Sequence, residues 1–192
     1  MMSNDRSTQD FGDAANRKTS CALPEEMLAR GFALEEGSLL HEGGRYDLEE
    51  ADVPEGVVSL GNGCFAGCRE LKRVSLPGTL RELGMGAFSG CVSLEAIALP
   101  AGIKRLRKEL FSGCENLTEV HIPATVTSIG EWAFRECSSL TSIYLPPSIT
   151  DICAESFLSC PNLTLVGQPD SFVAEYADKL GLRFEPSPDV SV

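Results

Sequence analysis

A chain whose landmark residues recur at a fixed step can fold only as a stack of near-identical units, and this chain is such a case. Prolines stand at Pro54, Pro77, Pro100, Pro123, Pro146 and Pro169, each 23 residues after the last. Phe65, Phe88, Phe111, Phe134 and Phe157 keep the same step, as do Cys68, Cys91, Cys114, Cys137 and Cys160. So do Leu71, Leu94, Leu117, Leu140 and Leu163, and Val74, Ile97, Val120, Ile143 and Val166. Leu48, Ala51 and Val53 occupy the same positions in a preceding half-copy. A unit of this size cannot bury a core alone, so stability must come from stacking neighbours.

Each unit reads as one strand and one turn. In Leu117-Thr118-Glu119-Val120-His121-Ile122 the apolar residues alternate with polar ones at Val120 and Ile122, which is the period of a strand. The proline that follows lacks a backbone donor and ends the pairing. Val126 and Ile129 then turn the chain inward, and Glu131–Cys137 reads as a short helical turn with Ala133, Phe134 and Cys137 inside. Strands of successive units pair in parallel about 4.8 Å apart, giving a short curved solenoid about 25 Å long.

Open solenoid ends need covers. Residues Ser171 to Leu180 read as a helix with Phe172, Tyr176 and Leu180 as its stripe, Asp170 or Ser171 as N-cap and Gly181 at C′. Leu182-Arg183-Phe184 reads as a last strand. Towards the N-terminus, Pro24 to Arg30 reads as a short helix closed by Gly31, and Phe32–Glu35 with Ser38–His41 as a hairpin around Glu36-Gly37. The expected organisation is a disordered segment over 1–22, one repeat domain over 23–185 and a loose tail over 186–192. Within the domain, 23–47 is the N-terminal cap, 48–168 the repeats, and 169–185 the C-terminal cap helix and strand.

The strand motif Leu117-x-x-Val120-x-Ile122 matches that of leucine-rich repeats. The 23-residue period, with Pro123, Ile129-Gly130, Ala133-Phe134, Cys137 and Leu140, resembles the BspA-like subclass found in bacterial surface proteins. Ala174-Glu175-Tyr176-Ala177 through Phe184 is similar to that subclass's usual C-terminal ending. The resemblance implies an α/β repeat fold: a right-handed leucine-rich repeat solenoid with a parallel, concave β-sheet and short helical or 3-10 turns on the convex side. It also implies protein–protein recognition, often adhesion to host matrix or to other cells, and brings no catalytic residues with it.

The eight cysteines suggest a disulfide framework or metal sites by count alone. Register argues otherwise: five are one position copied five times, and a buried Cys behaves as a small hydrophobe. They are expected to be free, inert core thiols. Cys153 takes the place of Gly61, Gly84 and Gly130, so packing accounts for it too, and only Cys21 and Cys64 stand outside the ladders. Cys64 and Cys68 form C-x-x-x-C, but no second pair or nearby His completes a zinc tetrad. No metal and no cofactor is expected. Gly61-x-Gly63 and Gly84-x-Gly86 share a repeat position and read as turn glycines rather than a nucleotide loop. Asn116-Leu117-Thr118 and Asn162-Leu163-Thr164 fit the glycosylation sequon, yet their leucines are core.

For function, the strand residues that flank the inward one matter most. They are Glu50 and Asp52, Arg73 and Ser75, Ala96 and Ala98, Glu119 and His121, Ser142 and Tyr144, and Leu165 and Gly167. The row runs from acidic to small, with Tyr144 as an aromatic anchor. Glu50, Asp52, Arg73, Ser75, Glu119, His121, Ser142 and Tyr144 are therefore the candidate binding residues. His121 beside Glu119 is the one pair resembling a general base with a carboxylate, but no nucleophile motif accompanies it, so the chain reads as a non-enzyme.

Charge narrows the partners. The net charge of −12 argues against nucleic acid, whose phosphates need a broad basic face. The repeats are nearly neutral, with 11 acidic and 9 basic residues between 54 and 168. Their basic cluster, Arg81, Lys104, Arg105, Arg107 and Lys108, reads as a solvated flank away from the strands, open to an acidic partner. No run approaches the ~18 apolar residues of a membrane span. The beginning, Met1 to Ser7, lacks the apolar run of a signal peptide. A complete chain would then be cytoplasmic, and a piece of a longer precursor could be secreted or held at the cell surface. The expected role is a monomeric, non-catalytic module recognising a protein through its concave sheet. A structural spacer without its own ligand is the alternative.

Overall fold

Alternating apolar residues on strands too short to fold alone produce, in a computed structural model, a parallel β-solenoid. The structure describes residues 23–29, 32–41 and 47–187. The expected disorder over 1–22, the closing Gly31 and the end of the tail lie outside the described residues.

One sheet position recurs in every turn: β3 (Glu50–Asp52), β5 (Arg73–Ser75), β7 (Ala96–Ala98), β9 (Glu119–His121), β11 (Ser142–Tyr144) and β13 (Thr164–Gly167). β3, β5, β7 and β9 pair in parallel, and β11 and β13 form the next sheet together with β14 (Arg183–Pro186). Inward residues Ala51, Ile97, Val120 and Ile143 are buried in the core. The half-copy inferred at Leu48 is thus a full first strand, paired Ala51 to Val74.

A second ladder was not foreseen. Residues read only as an inward turn form two-residue strands: β4 (Ser59–Leu60), β6 (Glu82–Leu83), β8 (Arg105–Leu106), β10 (Ser128–Ile129) and β12 (Asp151–Ile152). Two residues show no alternation, so nothing in the pattern marks them as strand. The prolines set them up. Each proline carbonyl accepts an i+3 bond, from Leu80 to Pro77 at 3.1 Å and from Val126 to Pro123 at 3.0 Å, and the donor residue turns into the core.

The segment carrying the phenylalanines, read as a short helical turn over Glu131–Cys137, is a chain of tight turns that does not continue into a helix. Arg135 N–H bonds Trp132 O at 3.1 Å and Cys137 N–H bonds Phe134 O at 3.3 Å, but positive φ at Trp132 (58°) and Glu136 (60°) prevents a helix from propagating. Each such segment also bonds the next turn, Phe88 N–H to Leu110 O at 3.0 Å and Phe111 N–H to Ala133 O at 2.8 Å. The left-handed positions recur at the repeat period. Gly63, Gly86, Glu109 and Trp132 hold the same place, and a non-glycine residue there needs support. Trp132 has it: its indole N–H donates to Glu155 at 2.6 Å and the Lys108 ammonium lies 4.3 Å from its ring centroid.

The core is an aromatic column. Phe65, Phe88, Phe111, Phe134 and Phe157 stack with ring centroids 5.3–5.6 Å apart. Both caps extend it. Phe32 of the hairpin β1 (Phe32–Glu35) and β2 (Ser38–His41) lies 5.0 Å from Phe65, and Tyr176 lies edge-on to Phe157 at 6.4 Å. The hairpin forms as read, turning through Glu36 and Gly37 at positive φ, and a short helix α1 (Glu25–Ala29) precedes it.

The C-terminal cap departs from expectation in two ways. Helix α2 (Phe172–Leu180) has Ser171 as N-cap and Gly181 as left-handed C-cap, but it buries Val173, Tyr176 and Ala177. Phe172 and Leu180 are 38% and 40% exposed. The stripe is i, i+3, i+4 rather than i, i+4, i+8: at about 100° per residue Phe172 lies off the buried face, and Leu180 is the last residue of the helix. The second departure is a register slip. Ile143 pairs with Leu165, not Val166. Leu165 and Gly167 therefore face inward and are buried, while Thr164 and Val166 take the outward places. Gly167 lies under the cap, where a Cβ would lie 3.5 Å from Val173 and 3.6 Å from Phe184.

Candidate functional site

The pleat puts alternate residues of the first ladder on one solvent face. Glu50, Asp52, Arg73, Ser75, Ala96, Ala98, Glu119, His121, Ser142 and Tyr144 are all exposed there. Leu165 and Gly167, expected to complete the row, do not belong to it.

The face is graded. At its N-terminal end Arg73 is ion-paired to Glu50, and Lys72 bonds Glu49 at 3.0 Å, each pair bridging adjacent turns. Both pairs are exposed and solvent-screened, so they add little to stability. In the middle, Ala96 and Ala98 are too small to fill their places. The gap is a shallow depression of about 250 Å³, walled by Arg73 on one side and by Glu119 and His121 on the other. Val74, half-buried where its ladder mates are buried, and Ile97 form its apolar floor. Beyond it stands Tyr144, 42% exposed and paired in register with Val166. Asp52, Ser75 and Ser142 share the face without lining the depression.

Chemically the depression sets a cation, a carboxylate and an imidazole around an apolar floor, with a phenol on the next turn. Glu119 and His121 supply a possible proton acceptor and its neighbour, but the lining brings no hydroxyl or thiol to them. Val74 as floor, and Thr164 and Val166 at the end of the row, were missed. The signal for Val74 was the two alanines opposite it.

The ladder cysteines are packed as expected. The seven described cysteines are free thiols. Cys91, Cys114, Cys137 and Cys160 each donate an S–H bond to the carbonyl of the phenylalanine 26 residues earlier, at 3.0–3.2 Å. Burial pushes the Cys64 thiol up to about 12 and those of Cys68 and Cys160 up to about 11, which keeps them protonated and unreactive. Cys153 differs: it is exposed, just after β12. Among the described residues no three His, Cys, Asp or Glu side chains are grouped so as to hold a metal ion, and no helix is long and apolar enough to cross a membrane.

Comparison with known proteins agrees with this geometry. Residues 44–164 match, in six copies, the family described as BspA type leucine rich repeat region. Among solved structures, the chain is similar to a leucine-rich repeat protein from Bacteroides ovatus, at 33% identity over 72% of this chain and 39% of that one, with a TM-score of 0.62. It is similar to a leucine-rich repeat protein of T. pallidum at 24% identity, over 82% of this chain and 96% of that one, with a TM-score of 0.64. A leucine-rich cell surface protein from Faecalibacterium prausnitzii shares 21% identity over 71% of this chain and 52% of that one, with a TM-score of 0.50. The chain thus spans well under half of the Bacteroides ovatus protein. No curated protein matches it.

Proposed function

We propose that this chain, which belongs to the BspA-type leucine-rich repeat family, is a non-catalytic module that binds a protein partner through the exposed face of its first sheet. The observation that carries this reading is the depression between Arg73 and the Glu119–His121 pair, with an exposed Tyr144 beside it. Tyrosine and arginine are the side chains that most often dominate binding energy. The strands beneath are fixed by the stacked core, so little ordering is required on association. Alternation supplies the variety: the core rows are constrained to Leu, Phe and Ile, while the outward rows are free to differ from turn to turn.

The Faecalibacterium prausnitzii relative is described as a cell surface protein. Carried to this chain, that location makes adhesion to a host or neighbouring cell the role of the sheet face. The test is capture by the immobilised chain from host extracellular extract and from cell lysate in parallel. The Glu119→Ala, His121→Ala, Tyr144→Ala triple variant should lose the captured partner, with Tyr144→Ala alone costing about 2 kcal/mol, or roughly thirtyfold in affinity. Capture unchanged by the triple variant would show that the sheet face is not the binding surface.

A further inference from the structure

A second surface of opposite chemistry lies on the ladder of two-residue strands. That ladder parts in the middle: β6 ends one sheet and β8 begins another. At the parting, Arg107 stands where Gly84 and Gly130 stand in the neighbouring turns. A groove of about 460 Å³ opens there, lined by Arg81, Lys104, Arg105 and Arg107, with Glu82 as the single acid in its lining. The cluster read from the sequence as a flank away from the strands is therefore set on β8 and the turns beside it.

Its charge is largely uncompensated. Arg107 is paired with Glu82 at 3.0 Å. Arg81 donates through one nitrogen to the carbonyls of Gly78 and Leu80, at 2.7 and 2.9 Å, which fixes the guanidinium without neutralising it. Among the described residues, no carboxylate lies within ion-pair distance of Lys104 or Arg105. Arg81 and Lys104 occupy the same place in successive turns and line the same groove. Three unpaired cations in one groove run against a net charge of −12 for the chain.

Apolar side chains flank the cations. Val58, 42% exposed, stands one turn before Arg81 in the same row. Met85, 48% exposed, shares an adjoining hollow with Arg105, Arg107 and Lys108.

We propose that this groove docks an acidic protein segment whose carboxylates are interspersed with apolar side chains. The planar arginine forks match carboxylates, and Val58 and Met85 offer contact to apolar neighbours that a sulfated polysaccharide would not use. The proposal concerns a separate face and does not depend on the first sheet's role.

The experiment is fluorescence anisotropy of the full chain with a fluorescein-labelled peptide of Asp, Glu and Leu, and with the same peptide carrying Asn and Gln for the acids. The acidic peptide should bind and should be released by added salt. The Lys104→Glu, Arg105→Glu variant should weaken binding by about tenfold or more, as expected for reversing paired contacts. Both side chains are exposed, so the fold should persist; a urea midpoint confirms it, and Lys104→Gln, Arg105→Gln is the milder variant if it does not. The Glu119→Ala, His121→Ala, Tyr144→Ala variant should bind the acidic peptide like the parent chain, which separates this site from the first sheet. Undiminished binding by the charge-reversed variant, or equal binding of the neutral peptide, would overturn the proposal. Binding of heparin with none of the peptide would overturn it too, in favour of a polysaccharide.

Discussion

Removing one ring from the middle of the aromatic column tests whether stacking holds the solenoid together. Phe111 has no exposed surface and sits between Phe88, at 5.6 Å, and Phe134, at 5.4 Å. Phe111→Ala loses the burial of a large apolar side chain, worth about 2–3 kcal/mol. It also loses two ring contacts at roughly 0.5–1.5 kcal/mol each, and a void remains because backbone bonds to both neighbouring turns resist collapse. Phe111 N–H to Ala133 O at 2.8 Å is one of these bonds. The expected loss is about 4 kcal/mol, or roughly 8–16 °C in Tm for a chain of this size. Urea unfolding followed by the fluorescence of Trp132, the single tryptophan, reads the change. Phe111→Leu, which keeps most of the volume, should cost well under half as much. A loss below about 1.5 kcal/mol for Phe111→Ala would mean that the turns are held by their backbone ladders and that the column is passive.

Three other measurements follow from the same packing. A Cβ at Gly84 would lie 2.4 Å from the Gly61 carbonyl, so Gly84→Ala must push two turns apart; about 2 kcal/mol or more should be lost, and an unchanged urea midpoint would contradict it. At mild alkaline pH, Cys153→Ser should remove one equivalent of rapidly labelled thiol, whereas Cys64, Cys68 and Cys160, with thiols pushed up to about 12, 11 and 11, should react only on unfolding. Stability should also fall at high pH. Burial raises these thiols and the Tyr176 phenol, the latter to about 12, above their unfolded values, so the stabilisation is complete below about pH 9 and is lost as pH rises towards 12. A urea midpoint that stays flat from pH 8 to 11 would contradict that assignment.

The two surfaces share one design rule. A repeat makes its inward positions uniform and leaves its outward positions free, so any chemistry confined to one or two turns stands out. On the first sheet that chemistry is Ala96 and Ala98 opening a gap beside His121 and Tyr144. On the second ladder it is the run Lys104, Arg105, Arg107 and Lys108. Both interrupt their rows within one turn, on β7 and on β8.

The candidate face was legible as far as β11, because alternation alone decides which side of a strand meets water when one side is packed. It stopped being legible at β13. Leu165 and Val166 are both apolar, and either could face the core. The cap decides between them: β14 pairs Phe184 with Leu165 and Pro186 with Gly167, and Val173 of α2 packs beside Gly167. The helix stripe was also displaced, since α2 turns Val173, Tyr176 and Ala177 to the core and leaves Phe172 and Leu180 at its two ends.

What the sequence determined by itself was the stack: its period, the strand after each Leu, the turn after each Pro, and the thiol and aromatic columns. It could do so because one physical requirement, burying a unit against copies of itself, was written five times over. The tertiary structure decided what is not repeated. It set the second ladder, whose two-residue strands carry no period, and the register of the last turn, which depends on a cap without copies. It also placed the basic groove, which exists because the ladder parts between β6 and β8, a property of two neighbouring backbones and not of either segment alone.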